Sequence, residues 1–547
     1  MSEKLPLKRL SCTFEQGLLT PCEMERAIDK LPNEILVQIY LYVQSEFSPK
    51  KPWYRLMRVC KRWSAVIRVS PVLWRFVRIE DNAGDLDLLR YSLTYSGDML
   101  VDIVCLFASE FALIAPLILR HAHRIRSLRL LWPPYKLEHA VASLMYHDMP
   151  ALEELELELK SGASDGDEEL PPLNPEEEED ERGNRTQYPF FWVPKVEQFP
   201  RLTRLSLGRR IGYSLRFPAI PTLKYLELDH CVTKGTITLA AFIGAYLARL
   251  PVLEELILVC LDLTPSPGSG LKLPPMLRKF KLEDFPLRIA SSLSSLAPLP
   301  ADLNVHLTRL VCYVEPHMEP ETPLTALYSL PRNRDVLPIL DLVETAVIRQ
   351  HYSEVYSIMG TTAAGASVEI SGEIAEDSPE PYDFLADVAD AFRNAPLREL
   401  RVDNHYAHKL EEPQWVRTLL SFPQLQRIAV LKTWDDEYDA RRGLLKALCS
   451  TPSVHGAAVP CPELQSLTLV AFATEKDREV ADEMLCCVKH RSSNGSRLKH
   501  LHIVIRDSFL VRPLDPVQID RRRDMFIKML EPWVETLDFE RTEGLSY

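Results

Sequence analysis

Two apolar rhythms divide the chain. Between residues 28 and 79 the apolar positions recur with helical spacing. Ile35, Leu36, Ile39, Tyr40 and Val43 fall at offsets of 0, 1, 4, 5 and 8, one stripe of a helix. Pro32 stands where a proline can open that helix, because the N–H it lacks would have no partner there. Glu34 lies in the first turn, where negative charge meets the helix dipole favourably. The turn SEFSPKKP ends the segment. A second helix is predicted next, with Trp53, Leu56, Met57, Cys60, Trp63, Ser64 and Ile67 on one face, and Ser70-Pro71 stops it. Two amphipathic helices of this size cannot bury their faces alone. Either the following domain or a partner must complete them.

Beyond residue 80 the rhythm changes to Leu-x-x-Leu-x-Leu, usually preceded by proline and one further residue. The clear units begin at Leu152 (MPALEELEL), Leu202 (FPRLTRLSL), Leu223 (IPTLKYLEL), Leu253 (LPVLEELIL) and Leu277 (PPMLRKFKL), with a weaker one at Leu307. After a gap they resume at Leu397, Leu425, Leu464, Leu498 and Val534, and HRIRSLRL at Ile125 reads as a first member. First positions are 50, 21, 30, 24 and 30 residues apart in the first half and 28, 39, 34 and 36 in the second. Alternate positions of L-x-L point inward from a strand, and the proline marks entry from the preceding segment. Such units are too small to bury their own apolar faces, so neighbours must stack. The stretch 313–396 is the weak point. There ETAVIR and ASVEIS read as degenerate strands and DFLADVADAF as a helix. Two separate α/β lobes remain an alternative to one continuous array.

The N-terminal motifs narrow the reading. LPNEIL, then VCKRW, then SPVLW, in that order over about fifty residues, closely resemble the F-box motif. The link between the first two helices is longer than the family's and carries proline and lysine. The resemblance implies docking on a Skp-family adaptor and, through it, a cullin ubiquitin ligase. Carried over position by position, it implies adaptor contacts at Leu31, Pro32, Ile35, Leu36, Leu56, Val59, Cys60 and Trp63. The alternative is that some of these, Cys60 and Trp63 especially, pack inside the module. The later units carry the signature of leucine-rich repeats and look like the divergent repeat domain found behind many F-boxes. The usual polar or Cys residue three positions after the strand occurs once, as Cys231.

The expected fold is therefore α+β and multi-domain. A tail (1–27) leads into a small all-α F-box (28–79). An irregular α/β leucine-rich-repeat-like solenoid, or horseshoe, fills 80–547.

Composition refines this picture. The 547 residues include 42 prolines against 19 glycines, which favours many short elements with fixed joints. Net charge is −13, and residues 161–187 supply −8 of it, with ten carboxylates and two arginines. That segment reads as a disordered acidic insertion. Removing its 27 residues brings the interval of 50 down to 23, in line with its neighbours. An acidic chain is a poor nucleic-acid binder. Eleven scattered cysteines suit a reduced, intracellular protein, cytoplasmic or nuclear. The most apolar run, Met99 to Leu119, carries Asp102, Glu110 and Pro116, so it reads as a short strand and a short helix rather than a membrane span.

Catalytic readings fail on context. Gly162-Ala-Ser164-Asp-Gly166 matches a nucleophile-elbow pattern but lacks the strand-turn-helix that would expose its serine. Cys486-Cys487 with His490 lacks zinc spacing. His121 and His123, like His405 and His408, read as surface residues at element ends. No glycine loop to cradle a phosphate is present. The expectation is a non-catalytic chain with no cofactor, metal, nucleic acid or membrane. Its partners are an adaptor and an unknown protein target. A scaffold that binds the adaptor without presenting a degradation substrate remains the alternative. If each L-x-L is an inner strand, the intervening residues Glu156, Glu158, Glu227 and Asp229 form an acidic face. They are candidates to hold a basic segment of the target.

Overall fold

The structure is a computed structural model. It describes residues 31–46, 53–80, 84–106, 111–132, 144, 146–159, 190–191, 196–208, 211–213, 220–233, 237–261, 263–266, 270–309, 326–350, 355–373, 383–404, 410–432, 440–450, 459–472, 477–506 and 516–542. The acidic insertion, the GxSxG match and His405 and His408 lie outside the described residues. The chain divides into two compact units, one reaching Leu130 and including Met149–Leu152, the other holding the rest.

The first unit opens with α1 (Asn33–Glu46) and α2 (Lys61–Arg68). The second predicted helix is in fact two pieces. A 3-10 segment covers Trp53–Arg58, and the backbone becomes extended at Cys60 (φ −159°, ψ 169°) before α2 starts. Cys60 is the N-cap of α2, with Sγ accepting the Trp63 N–H at 3.4 Å. A side chain that satisfies one of the orphan donors of a helix start competes with continuing the previous helix through that residue.

After the turn at Pro71–Trp74 come β1 (Phe76–Ile79), α3 (Asp85–Tyr95), β2 (Val101–Leu106), α4 (Phe111–Arg120) and β3 (Ile125–Trp132). β2 pairs in parallel with β1, Ile103 beside Val77, and also with β3. The apolar run 99–119 is thus a strand and a helix. Arg124 is buried and donates to the carbonyls of Leu93 and Gly97 and to Ser96 Oγ (2.7 Å), capping the C-terminus of α3.

Each proline-led repeat makes one structural step. Met149, Phe199, Ile220, Leu250, Phe422 and Cys461 are buried, and each is followed by proline. In every case the leucine three residues on donates its N–H back to that residue's carbonyl, as Leu152 to Met149 (3.0 Å) and Leu464 to Cys461 (3.0 Å). This is a β-turn with proline at its second position, where the ring pre-sets φ. The strand begins two residues later, and its next two apolar residues enter the core.

The strands so formed are β4 (Glu154–Leu159), β5 (Arg204–Leu207), β6 (Tyr225–Asp229), β7 (Glu255–Val259), β8 (Lys279–Asp284) and β9 (Asn304–Arg309). They pair in parallel and in register, Leu155, Leu205, Leu226, Leu256, Phe280 and Val305 forming one row. The unit placed at Leu307 needs correcting. Leu303 closes the turn on Pro300, while Leu307 already lies in β9 beside Leu282, so the repeat starts four residues earlier. One residue rather than two separates Leu303 from the core residue Val305, and this shortened spacing hid the motif.

The weak stretch holds a different arrangement. β10 (Val343–Gln350), β11 (Val355–Thr362) and β12 (Ser367–Glu373) form an antiparallel meander. Its last strand pairs in parallel with β9 and its first with β13 (Glu399–Asn404). ETAVIR and ASVEIS are therefore strands, and the one between them carries no repeat signature. Gly360 of that strand is required by space, since a Cβ there would stand 2.7 Å from Val343 Cγ2 and 2.8 Å from the Phe392 ring.

From β13 onward strands alternate with full helices. α6 (Phe384–Ala391) precedes it, α5 (Pro286–Ser294) having followed β8. Then come α7 (Glu412–Ser421), β14 (Arg427–Lys432), α8 (Ala440–Cys449), β15 (Ser466–Phe472), α9 (Asp477–Ser493), β16 (His500–Arg506), α10 (Pro516–Leu530) and β17 (Thr536–Thr542). All these strands are parallel. The longer repeat spacing of this half leaves room for helical crossovers between its parallel strands. The molecule thus joins N-terminal helices to mixed α/β structure with a large, mainly parallel sheet.

Candidate functional site

The apolar stripe of α1 is wider than one interface can use. Leu36 and Tyr40 are fully buried in a cluster with Val66, Ile67, Leu73 and Trp74. Ile35 and Ile39, read from the sequence as part of the same stripe, turn outward and are 46% and 37% exposed. Tyr42, one turn on, is 66% exposed. Positions 35, 39 and 42 follow the i, i+4, i+7 spacing of a single face. α1 therefore carries two apolar faces, one inside the module and one on its surface.

The module is held by specific contacts. Tyr40 meets Trp63 edge-on, ring centres 5.3 Å apart. Trp74 donates its indole N–H to the Ile67 carbonyl (2.8 Å) and packs on Tyr95 of α3 (5.1 Å). Leu88 of α3 also packs on the cluster, so this core extends past residue 79. Ser70 Oγ donates to the Val66 carbonyl (2.6 Å). Arg62 donates to the Leu31 carbonyl and to Asn33 Oδ1 (3.1 Å), fixing the start of α1 to α2. Burial pushes the Tyr40 phenol up to about 12, so it stays protonated.

The eight residues singled out from sequence fall into two groups. Leu36 is wholly internal, and Leu31, Leu56 and Trp63 pack half-buried against the same cluster. Pro32, Ile35, Val59 and Cys60 are exposed, Val59 at 58%. Ile39 and Tyr42 belong with the exposed group and were not singled out. The signal for them was the breadth of the stripe, which exceeds what one packing face can cover. The role of Arg62 was also missed, because a basic residue on a helix reads as a solvated charge.

The acidic strand residues behave differently. Glu227 accepts from Tyr225 Oη (2.6 Å) and Ser206 Oγ (3.0 Å), and Asp229 pairs with His230 (2.5 Å). Glu156 sits beside Ser206 in the ladder, and Glu158 packs against Gly208, where a Cβ would come within 2.8 Å of its Cγ. The same face bears Lys281–Glu283 (2.7 Å), His306–Glu369 (3.0 Å) and Arg427–Glu399 (2.9 Å). Cys231 is buried and its thiol donates to the Leu207 carbonyl (3.2 Å).

Residues 28–80 match the family model described as F-box-like. The chain carries an F-box-like domain. The match begins just before α1 and ends just after β1, so it spans both faces of α1, the Cys60 cap and the Trp74 anchor. Domains of this family bind Skp-type adaptors, and the domain supports reading the chain as an F-box protein. No curated protein matches the chain. Among the described residues no cluster of His, Cys, Asp and Glu is arranged to hold a metal ion. No helix among them is long and apolar enough to cross a membrane.

Proposed function

We propose that this chain is the substrate-recognition subunit of an SCF-type ubiquitin ligase. The F-box-like domain docks a Skp-family adaptor, and through it a cullin. The large sheet, built from leucine-rich-repeat-like steps in a solenoid, presents a protein target. The chain itself supplies no catalysis. The observation that carries this reading is the second apolar face of α1 (Ile35, Ile39, Tyr42), together with exposed Pro32, Val59 and Cys60 inside the matched domain. Isolated exposed apolar residues are ordinary, but a whole helical face of them beside a packed core suits a protein contact. Half-buried Leu31, Leu56 and Trp63 would line its edge, and Leu36 would support it from within.

Affinity purification of the full chain tests the proposal. Co-purification of adaptor and cullin, with a protein whose ubiquitination falls when the chain is removed, is the expected result. Recovery of the adaptor without cullin, and no protein whose ubiquitination responds, would point instead to an adaptor-bound scaffold. Failure to bind any Skp-family adaptor would overturn the reading.

A further inference from the structure

The second unit carries a pocket that the proposed function does not use. It has a volume of about 320 Å³ and lies among the 3-10 segments Ala326–Ser329, Arg334–Val336 and Pro338–Leu342 and the C-terminal end of α6. Small-molecule sites usually span about 300–1,000 Å³. Leu327 and Leu340 supply an apolar wall. Two cations and two carboxylates also line it. Arg393 donates to Asp390 (2.6 Å), which closes one pair. Arg334 and Asp341 remain, and neither makes a hydrogen bond or an ion pair among the described residues.

The two open charges differ in setting. Asp341 is exposed, so solvent can satisfy it. Arg334 is half-buried, and its Nη1 is shut off from solvent without an acceptor. A buried donor on a charged group that finds no acceptor is costly. Burial accordingly pushes the Arg334 pKa down, an effect that Asp390 opposes and Arg393 deepens. The C-terminal end of a helix favours a nearby cation, yet no carbonyl of α6 accepts from Arg334. A guanidinium with open donors on a pocket wall suits a planar oxyanion. A phosphate dianion would bring two negative charges up to Asp341 and Asp390, whereas a carboxylate brings one. The apolar wall suits the carbon body of such an acid, and Asp341 can accept from an N–H beside the carboxylate.

We propose that this pocket binds the carboxylate end of an apolar amino acid, either free or as the last residue of a polypeptide. The Arg334 guanidinium takes the carboxylate. Leu327 and Leu340 hold the side chain, and Asp341 accepts from the α-nitrogen. A chain end in the pocket would make the C-terminus of a target the feature recognised. The site does not depend on the adaptor, so it stands or falls apart from the function proposed above.

Calorimetry on the full-length chain tests the site. N-acetyl-leucine should bind at millimolar concentration. N-acetyl-leucinamide, which lacks the charge, should bind at least about tenfold more weakly. Inorganic phosphate should also bind more weakly than N-acetyl-leucine. Arg334→Gln should lower the affinity for N-acetyl-leucine about tenfold or more. It should not lower Tm, because it removes an uncompensated, half-buried cation. Leucine itself and a short peptide ending in leucine separate the two sources. Tighter binding of the peptide assigns the site to chain ends, and tighter binding of leucine assigns it to the free acid. Equal affinity for acid and amide, or tighter binding of phosphate, would overturn the proposal, and neither result needs a variant to fold. Unchanged affinity in a folded Arg334→Gln variant would overturn it too. So would the absence of binding by every probe, which would leave Arg334 merely hydrated.

Discussion

The F-box-like domain and the strand-built sheet solve the same surface problem in opposite ways. In the domain, α1 keeps apolar residues on two faces and buries one of them. On the sheet, strand positions facing outward are largely polar, and many of their charges are matched across the ladder by Arg427–Glu399, His306–Glu369 or an internal pair such as Lys281–Glu283. A charge already satisfied by its neighbour offers a ligand little, because that pairing must be replaced on binding. An exposed isoleucine has nothing to lose but contact with water. The lesson is that an apolar face left outside a complete core is a stronger pointer to a partner than a charged face whose charges are already engaged.

The sharpest way to break this comparison is to cut the two faces of α1 separately. Leu36→Ala removes a fully buried leucine, so the first unit should lose about 2–5 kcal/mol in chemical denaturation. A loss under about 1 kcal/mol would mean that Leu36 is not core in solution. On the outer face, Ile35→Ser with Ile39→Ser and Val59→Ser should leave Tm nearly unchanged. Adaptor affinity, read by calorimetry, should nonetheless fall about 100-fold, since a few apolar anchors dominate such interfaces. Wild-type affinity in that folded variant would place the contact elsewhere.

The sheet should respond more weakly. Glu227→Gln keeps its shape but weakens the acceptor for Tyr225 and Ser206, and should cost about 0.5–1.5 kcal/mol. Reversing Glu156, Glu158, Glu227 and Asp229 to lysine together should also weaken capture of a basic target if that face binds one. Capture that is unchanged in a folded variant would remove these residues from the target site. The smallest effect is expected from joining residues 162 and 188 with a short flexible link. The acidic segment between them has little apolar surface to bury, and closure depends weakly on loop length, so stability should shift by only about 0.6 kcal/mol or less. A larger drop in Tm would show that the segment packs.

Much of this architecture was legible in the chain. Proline two residues before leucine specified the turn, because proline fixes φ and the buried residue ahead of it supplies the carbonyl for the closing hydrogen bond. L-x-L then specified which side of each strand faces the core. LPNEIL, VCKRW and SPVLW located the F-box-like domain. What sequence missed was set by partners distant along the chain. β11 has no repeat signature, and it is a strand because β10 and β12 supply its hydrogen bonds on both sides. Cys60 looked like one position on a continuous helical face, and became a cap because its thiol reaches the Trp63 N–H. Residues beyond the motif, Leu88 and Tyr95, complete the core around Trp74, which no local pattern could announce.

The sequence by itself determined where apolar side chains recur, and hence which elements form and which residues can enter a core. Only the tertiary structure decided which of two eligible faces was used. Ile35 and Leu36 are adjacent, both apolar and both on the predicted stripe. A helix turns about 100° between them, and the space bounded by Val66, Ile67, Leu73 and Trp74 admits one of the pair. That choice made Leu36 part of the core and left Ile35 on the surface.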